Sequence, residues 1–345
     1  MNTAIAFLEG QRHRLSAEGH QIPSRLSSLL LTPRFQASRH VVFLLLPTGS
    51  RDLALVAKIP RVIDTHASLE REAASLRAVQ AMRPGGFDSV PRLIAFEEYC
   101  GRPILIETAL PGPPMDPAFV RRHRDQSCTA AVAWLVEMQR ASATAADLSW
   151  FTRVVDAPLR QFAETFPVSR DEDALICRTR ALIEPLRDAR LPFVCEHGDL
   201  SHPNLVRLGR DTLGVVDWEL AQTAGQVTYD LFIFLAYVAF SLENAHSIPH
   251  HVAAFRRAFF GVGPWALPYV ARYARECGVP PALLTPLFVT CWARYAITLW
   301  SRVASADSPG DTPSFGDTAT WLRSNRYYHL WRDAVEHADR LVWSH

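Results

Sequence analysis

Lysine is almost missing from this chain of 345 residues. Lys and Arg together number 36, and only one of them, Lys58, is a lysine. Where Arg supplies every other basic position, a single Lys indicates a site that needs a compact ammonium on a flexible stem. The alternative is chance in an Arg-biased composition. As the single lysine of the chain, Lys58 is a candidate functional residue.

Three further absences argue against whole classes of partner. The formal net charge is +1 and no run of basic residues occurs, so we expect no nucleic-acid-binding face. The longest apolar run, 231–242, is shorter than the roughly 20 residues that span a bilayer, and residues 1–3 begin no signal peptide. The six cysteines form no C-x-x-C pair or zinc-type cluster. We expect a cytoplasmic protein with free thiols and no membrane partner.

Short apolar runs between polar turns predict an antiparallel sheet in the first third of the chain, with strands at 28–31, 41–46, 53–59, 92–96 and 103–107. Helical spacing predicts a leading helix within 1–20 and a second helix over 68–82, which Ser68 can cap. Helical patterns dominate from residue 118 onward, except for strand character between 194 and 216. A stretch rich in proline, 109–114, separates the two regions and predicts a hinge between lobes.

The second helix carries a glutamate on its apolar stripe. Glu72 lies three residues after Leu69 and four before Leu76, so it points inward. Burying an unpaired carboxylate costs several kcal/mol, and Lys58 on the preceding strand is the predicted partner. The alternative is a solvated Glu72 at the rim of the helix.

The polar residues of 194–219 predict a metal site on a β-hairpin. Residues 197–204 read His-Gly-Asp-Leu-Ser-His-Pro-Asn, and two short strands follow around a turn at 209–211. If Leu208 pairs with Leu213, then Asn204 lies opposite Asp217, with Cβ atoms roughly 4.5–5.5 Å apart. An amide and a carboxylate oxygen at that spacing can share Mg²⁺, so Asn204 and Asp217 are the predicted metal ligands.

Asp199 and His197 lie in the loop before this hairpin. Asp199 precedes Asn204 by five residues and is free to accept a proton from an attacking hydroxyl, which makes it the predicted catalytic residue. His197 could serve as a base too, but a histidine beside a loop carboxylate more often holds the loop by hydrogen bonds.

This ordered set resembles the protein-kinase-like fold and, more narrowly, the aminoglycoside phosphotransferase family. That family commonly reads H-G-D-L-x-x-x-N followed by D-W-E, as at 197–204 and 217–219, and R-E-A-x-x-L-R, as at 71–77. The similarity extends over about residues 25 to 240. It departs from the pattern in two places: residues 34–39 contain no glycine where a phosphate loop is expected, and 226–228 lack the usual acidic-Pro pair.

The resemblance implies an α+β, bilobal protein-kinase-like fold. A small N-terminal lobe, 1–107, would combine an antiparallel sheet with one key helix and a leading helix at 1–20. A hinge at 108–114 would join it to a larger, mainly helical C-terminal lobe, 115–345, which carries the catalytic hairpin 194–219 and the substrate-binding helices.

The resemblance also implies roles for the candidate residues. Lys58 would grip the α- and β-phosphates of ATP or GTP, and Glu72 would hold Lys58. The main chain of the hinge, including Glu107 and Ala109, would meet the purine, and Ser38 would contact phosphate. Asn204 and Asp217 would carry Mg²⁺ and Asp199 would serve the acceptor hydroxyl. Asp230 would brace the catalytic loop.

The acceptor is predicted to be a small hydroxylated molecule. Residues 231–345 contain eight Asp plus Glu and ten Arg, a balance that disfavours a polycation and favours a neutral or anionic metabolite, such as a sugar or a nucleoside-type antibiotic. His202 and Trp218 are candidate substrate contacts, with packing as the alternative for each. An aromatic stripe with Trp292 and Tyr295 is more typical of core than of a sugar platform.

The sequence therefore predicts a Mg²⁺-dependent O-phosphotransferase acting on an antibiotic or sugar-containing metabolite. A protein kinase is the first alternative, but only residues 218–229 separate Asp217 from Asp230, too few for a peptide-docking activation segment. A catalytically inactive nucleotide-binding module is the second. The oligomeric state stays open.

Overall fold

The computed structural model describes residues 2–31, 40–61, 67–145, 149–165, 169–304 and 318–343. The chain forms two compact units. The sheet unit comprises Met1–Pro114 and Asn204–Ala221, and the helical unit comprises Met115–Pro203 and Gln222–His345. Residues 204–221 thus belong to the sheet unit, whereas the sequence analysis assigned the whole hairpin 194–219 to the C-terminal lobe.

The sheet unit begins with one helix and is built around five antiparallel strands in the order β1-β2-β3-β5-β4. Its elements up to the first boundary are α1 (Thr3–Ala17), β1 (Leu26–Leu31), β2 (His40–Pro47), β3 (Leu55–Pro60), α2 (Ala67–Ala81), β4 (Leu93–Tyr99) and β5 (Arg102–Thr108). The predicted leading helix, the five strands and the second helix are all confirmed. Ser38 and the glycine-free segment 34–39 lie outside the described residues.

The two faces of this sheet bury different helices. Side chains of α1 pack with Ala57 and Ile59 on one face, and Leu69 of α2 packs with Leu105 on the other. Successive side chains of a strand point to opposite faces, so Lys58, between Ala57 and Ile59, faces α2. The pleat of β3 therefore brings the only lysine toward the helix that carries Glu72.

The start of α2 differs from the prediction. The helix begins at Ala67, so Ser68 lies inside its first turn instead of capping it. The Ser68 hydroxyl is buried and has no hydrogen-bond partner among the described residues. The capping prediction is wrong because the helix starts one residue earlier than the apolar periodicity indicates.

The helical unit is assembled from segments on both sides of a short excursion of the chain into the sheet unit. Before the excursion come α3 (Pro117–Arg122), α4 (Arg124–Ser142), α5 (Ala157–Thr165), α6 (Arg170–Ile183) and β6 (Val194–Glu196). The excursion is the hairpin of β7 (Leu205–Arg207) and β8 (Leu213–Val215). After it come β9 (Gln222–Gly225), which pairs with β6, and α7 (Tyr229–Leu242), α8 (Ile248–Phe259), α9 (Leu267–Cys277), α10 (Leu284–Ala304), α11 (Thr318–Ser324) and α12 (Arg326–Glu336).

Two apolar helices, α7 and α10, form the centre of the helical unit. Phe232 of α7 and Phe288 of α10 are fully buried, with ring centroids 4.9 Å apart. One described stretch, Pro281–Leu299, has the length and mean hydropathy of a membrane span, but 72% of it is buried inside the protein. A core helix of a folded protein has the same composition. Trp292 and Tyr295 are buried, as the core interpretation of their stripe predicted.

Candidate functional site

One ammonium and three carboxylates meet inside the sheet unit. Lys58 Nζ lies 2.5 Å from Glu72 Oε1, 3.4 Å from Asp217 Oδ1 and 3.8 Å from Glu107 Oε1. Lys58, Glu72 and Glu107 are 5%, 0% and 2% exposed. The predicted Lys58–Glu72 ion pair is therefore confirmed, and the alternative of a solvated Glu72 is excluded.

Sequence reasoning missed the carboxylate of Glu107 in this cluster. In the antiparallel pairing of β3 with β5, Lys58 lies opposite Leu105 and Val56 lies opposite Glu107. Side chains two residues apart share a face, so Glu107 lies on the same face as Lys58. The sequence does show an acid at the end of an otherwise apolar predicted strand, 103–107. Predicting that this acid meets Lys58 required knowledge of how β5 pairs with β3.

The main chain of the hinge was expected to meet a nucleotide, and for Glu107 this contact stays a prediction. Glu107 lies within β5, which pairs with β3 on one side and β4 on the other, and its carboxylate lies beside Lys58. The Ala109 N–H donates to the carbonyl of Ala54 at 3.0 Å, so this donor is already used inside the sheet unit.

The electrostatics of the cluster follow from its burial and its excess of acids. Burial lowers the pKa of Lys58, but the fields of Glu72, Glu107 and Asp217 outweigh it, and the net pKa lies well above the usual lysine value. Burial raises the pKa of Glu107, and the neighbouring Asp217 raises it further. Lys58 therefore stays charged, while the crowded carboxylates compete for one cation.

The β7–β8 hairpin positions Asn204 and Asp217, in a register that differs from the prediction. Leu205 pairs with Val215 and Arg207 with Leu213, so Asn204 lies opposite Val216, whose N–H donates to the Asn204 carbonyl at 3.0 Å. The predicted pairing of Leu208 with Leu213 is wrong by one residue. The Leu208 N–H donates to the carbonyl of Thr212 at 3.0 Å, so Leu208 lies opposite Thr212 and not opposite Leu213.

Asp217 follows the end of β8 in the left-handed region, with φ of 70°. This conformation turns the chain at Asp217, whose carboxylate lies beside Lys58 and stays 34% exposed. An amide and a partly exposed carboxylate supply the hard oxygen ligands that Mg²⁺ prefers, so the donor set of Asn204 and Asp217 fits that ion. The excess of negative charge around Lys58 favours a divalent cation in the same way.

Trp218 is placed in the interior of the structure. Its side chain is fully buried, the indole N–H donates to the Val215 carbonyl at 2.9 Å, and its main-chain N–H donates to Glu72 Oε1 at 3.1 Å. A ring without exposed surface has none to offer a substrate, so the packing alternative replaces the predicted substrate contact.

Asp199, the predicted catalytic residue, lies in the helical unit. Its Oδ1 accepts a hydrogen bond from the Tyr295 hydroxyl at 2.7 Å. Burial raises the pKa of Tyr295 well above its usual value, and the charge of Asp199 raises it further, so the hydroxyl keeps its proton. The contact could not be predicted from local sequence patterns, because the two residues are 96 positions apart.

Asp230 holds the loop that carries Asp199 through two hydrogen bonds. The Asp230 carboxylate accepts the N–H of His197 at 2.7 Å and the N–H of Gly198 at 3.0 Å. Burial, with the neighbouring Glu196, raises the pKa of Asp230 to about 7. The Asp199 N–H donates to Nδ1 of the buried His197 ring, with 3.4 Å between the two nitrogens. A histidine that supports its own loop is expected to make such a contact.

His202, a candidate substrate contact, lies in a 3-10 turn at the end of the same loop. It is 9% exposed, and its ring meets the Tyr237 ring edge to face at 5.7 Å. Burial lowers the pKa of His202 to about 4, so the ring is neutral at neutral pH.

The structure thus collects the predicted residues in two groups. The sheet unit holds Lys58, Glu72, Glu107, Asn204 and Asp217, and the helical unit holds His197, Asp199, His202 and Asp230. An antiparallel sheet with a helix packed on each face in the first unit, and a mainly helical second unit, is the fold of a protein-kinase-like phosphotransferase. Over residues 34–266 the sequence matches the phosphotransferase enzyme family, APH, and the chain belongs to that family of kinase-type enzymes.

Solved structures agree on the fold. Choline kinase LicA from Streptococcus pneumoniae has a TM-score of 0.55 at 11% identity, covering 96% of this chain and 99% of that one. A mutant of aminoglycoside 2′-phosphotransferase-IIIa in its GDP complex has a TM-score of 0.52 at 13% identity, with 98% and 97% covered. A choline/ethanolamine kinase family protein from Mesorhizobium loti has a TM-score of 0.50 at 14% identity, with 95% and 94% covered. No curated protein matches the sequence significantly.

Proposed function

We propose that this protein transfers the γ-phosphoryl group of ATP or GTP to a hydroxyl group of a small molecule, with Mg²⁺ as cofactor. The observation that carries the proposal is the environment of Lys58: the only lysine of the chain is buried and held by three carboxylates. Such an arrangement is costly for stability alone, because buried charges must be desolvated. It suits a phosphate-binding ammonium that must be held in one place.

On the donor side, Lys58 binds the α- and β-phosphates as a point charge, and Glu72 orients it. Asn204 and Asp217 would hold Mg²⁺, which when bound would supply positive charge to stabilise the phosphate groups. GDP complexes are known for the related aminoglycoside 2′-phosphotransferase, which supports a purine nucleotide as donor.

On the acceptor side, Asp199 orients the hydroxyl group and accepts its proton. The acceptor oxygen forms a bond to the γ-phosphorus, the bond from that phosphorus to the bridging oxygen breaks, and the nucleoside diphosphate leaves with the electron pair. Tyr295 donates to one Asp199 oxygen and so fixes the direction of the carboxylate.

The acceptor is a neutral or anionic hydroxylated metabolite, such as a sugar or a nucleoside-type antibiotic, in a resistance or biosynthetic role. The related structures include choline kinases and an aminoglycoside phosphotransferase, whose named substrates are cations. The surplus of Arg over Asp and Glu in 231–345 favours the opposite charge for this protein.

The test is mass spectrometry of hydroxylated compounds, including antibiotics, after incubation with the protein, Mg²⁺ and ATP or GTP. We expect the gain of one phosphoryl group, and a fall of at least about 10²-fold in rate for Asp199→Asn, the scale of general acid–base catalysis. Asp188→Asn, at an exposed position of the same unit, is the control and should leave the rate unchanged.

Two outcomes would contradict this proposal. Unchanged transfer or hydrolysis in Asp199→Asn would assign the chemistry to another group. Phosphorylated protein partners without any small-molecule product would favour the protein-kinase alternative.

A further inference from the structure

An arginine side chain in the helical unit lies among aromatic rings. The Arg326 guanidinium carbon is 4.8 Å from the ring centroid of Tyr327 and 5.6 Å from those of Tyr237 and Phe240. Arg326 is only partly exposed. Aromatic rings arranged in this way attract a cation, and here the protein itself supplies the cation.

No carboxylate neutralises this guanidinium among the described residues. Arg326 donates to the Tyr327 hydroxyl at 2.7 Å and to the Tyr237 hydroxyl at 3.4 Å, and one amino group lies 3.3 Å from His251 Nε2. Burial raises the pKa of Tyr327 and lowers that of His251, so both groups are neutral at neutral pH. The positive charge of Arg326 is therefore uncompensated by its direct contacts.

A second arginine of the same unit, Arg294, has the carboxylate partner that a buried arginine normally has. Arg294 is also buried, and both of its amino groups donate to the carboxylate of Glu196. A buried charge is normally paired, because its desolvation is otherwise uncompensated. In the part of the chain that the structure describes, Arg326 contacts no such acid, and part of its surface is open to solvent.

Arg326 is close to the proposed catalytic residue. The Tyr327 ring, to which Arg326 is bound, meets the Tyr295 ring edge to face with centroids 4.5 Å apart. The Tyr295 hydroxyl in turn donates to Asp199 at 2.7 Å. Two tyrosine rings thus separate the guanidinium from the group proposed to receive the acceptor hydroxyl.

We propose that Arg326 binds an oxyanion carried by the acceptor, so that the substrate is a hydroxylated carboxylate or phosphate ester. This inference rests on the proposed phosphotransferase function and specifies its substrate class. The guanidinium fork matches the two oxygens of a carboxylate or phosphate, and such charge-assisted hydrogen bonds are the strong ones. A quaternary ammonium or polycationic acceptor would meet a cation already held by the rings.

Anion binding can be measured without turnover by NMR, from the chemical shift of the Arg326 Nε–H resonance. The resonance is assigned by its loss in the Arg326→Gln variant. The probes are inorganic sulfate, gluconate, glucose 6-phosphate, glucose and glucosamine, which separate carboxylate from phosphate and anion from neutral and cationic forms of one skeleton. We expect the sulfate, carboxylate or phosphate probes to shift this resonance and glucose and glucosamine to leave it in place. The proposal is wrong if no anion shifts the resonance, or if glucose or glucosamine shifts it equally.

Kinetics test the same residue on the acceptors found by mass spectrometry. For an anionic acceptor, Arg326→Gln should raise KM by about 10- to 100-fold, as expected for a hydrogen bond to a charged group, and Arg326→Lys should recover part of the loss. The control is Arg332→Gln: Arg332 lies on the same helix above the Tyr328 ring at 5.9 Å, but is 42% exposed and pairs with Glu336 at 3.7 Å. It should leave KM unchanged.

Two kinetic results would overturn the inference. One is an equal rise in KM for an anionic acceptor and for its neutral isostere, which would give Arg326 a packing role. The other is transfer to neutral or cationic alcohols alone. A protein that transfers to nothing contradicts the proposed function, whereas the resonance titration decides anion binding separately.

Discussion

Two buried ion pairs, one in each unit, differ in how their oxygens are used. In the helical unit, Glu196 accepts from Arg294 at 2.6 Å and 3.2 Å and also from the Gln226 N–H at 2.8 Å. In the sheet unit, the second oxygens of Glu72 and Glu107 are buried without a hydrogen-bond partner among the described residues. Both oxygens of Glu196 therefore accept hydrogen bonds, whereas Glu72 and Glu107 each have one buried oxygen that accepts none from the described residues.

An aromatic ring and a glycine also accommodate the Arg294–Glu196 pair. The Arg294 guanidinium lies 4.4 Å from the Tyr229 ring centroid. Gly225 on β9 leaves room for the carboxylate, because a Cβ at that position would come within 2.3 Å of Glu196 Cδ. A pair that satisfies its own atoms contributes to structure, whereas unsatisfied buried acceptors around one ammonium are typical of a site completed by a ligand.

The sharpest way to test this comparison is to exchange the two cations. Lys58→Arg should lower phosphoryl transfer by about 10²-fold or more, on the scale of losing a charge-stabilising donor, while the protein stays folded. Arg294→Lys should lower the thermal midpoint and change transfer by far less. Transfer rates and circular-dichroism melting of both variants are the measurements. Equal losses of activity in the two variants would contradict the distinction.

Removing the acid of the Arg294–Glu196 pair should destabilise the protein. Glu196→Gln leaves Arg294 buried and uncompensated, and we expect a loss of about 3–5 kcal/mol in the free energy of unfolding. Urea unfolding measures it, and replacing both partners by apolar residues, Glu196→Leu with Arg294→Met, should recover most of the loss. Glu184→Gln, which breaks an exposed bidentate pair with Arg187, is the control and should have little effect.

A hydroxyl that touches the proposed catalytic residue should matter for rate and one elsewhere should not. Tyr295→Phe removes the donor to Asp199, and we expect kcat to fall by about tenfold, since hydrogen bonds to charged groups are worth about 1.5–3 kcal/mol. Tyr328→Phe removes a hydroxyl that donates to Glu172 at 2.9 Å in the same unit, and it should affect stability alone. An unchanged kcat in Tyr295→Phe would argue against this positioning role.

The smallest expected effect concerns Asp230. Its pKa is raised to about 7, because burial and the charge of Glu196 outweigh the hydrogen bonds from the His197 and Gly198 N–H groups and the charge of Arg294. The folded protein therefore holds a proton that the unfolded chain, with a pKa of about 3.9, releases. This contribution to stability is present at low pH and is lost as the pH rises from about 4 to about 7. The melting temperature of the wild type relative to Asp230→Asn should fall by a few degrees between pH 5 and 8. A constant difference would contradict the assignment.

Local patterns were enough for most of the fold and for part of the site. The five strands, the leading helix and α2 follow from apolar runs and from helical spacing, both of which depend on near neighbours in the chain. The inward direction of Glu72 follows from the same spacing. Since Lys58 lies on the strand before that helix, their pairing could be predicted as well.

The hairpin shows where local reasoning stopped. Its two strands were predicted, but their register depends on how the turn closes, and a shift of one residue there moved the partner of Asn204 from Asp217 to Val216. The helix start at Ala67 differs by one residue in the same manner. Element types are encoded over many residues, whereas a boundary depends on one or two hydrogen bonds.

By itself, the sequence determined the element order, the lone lysine and its glutamate, and the ordered motif that identifies the family. Only the tertiary structure decided that Glu107 lies beside Lys58, that Tyr295 donates to Asp199, and that Arg294 contacts an acid whereas Arg326 contacts none among the described residues. The partners Arg294 and Glu196 are 98 residues apart. Periodicity reports which face of its own element a side chain occupies, but packing between distant elements decides what that face meets.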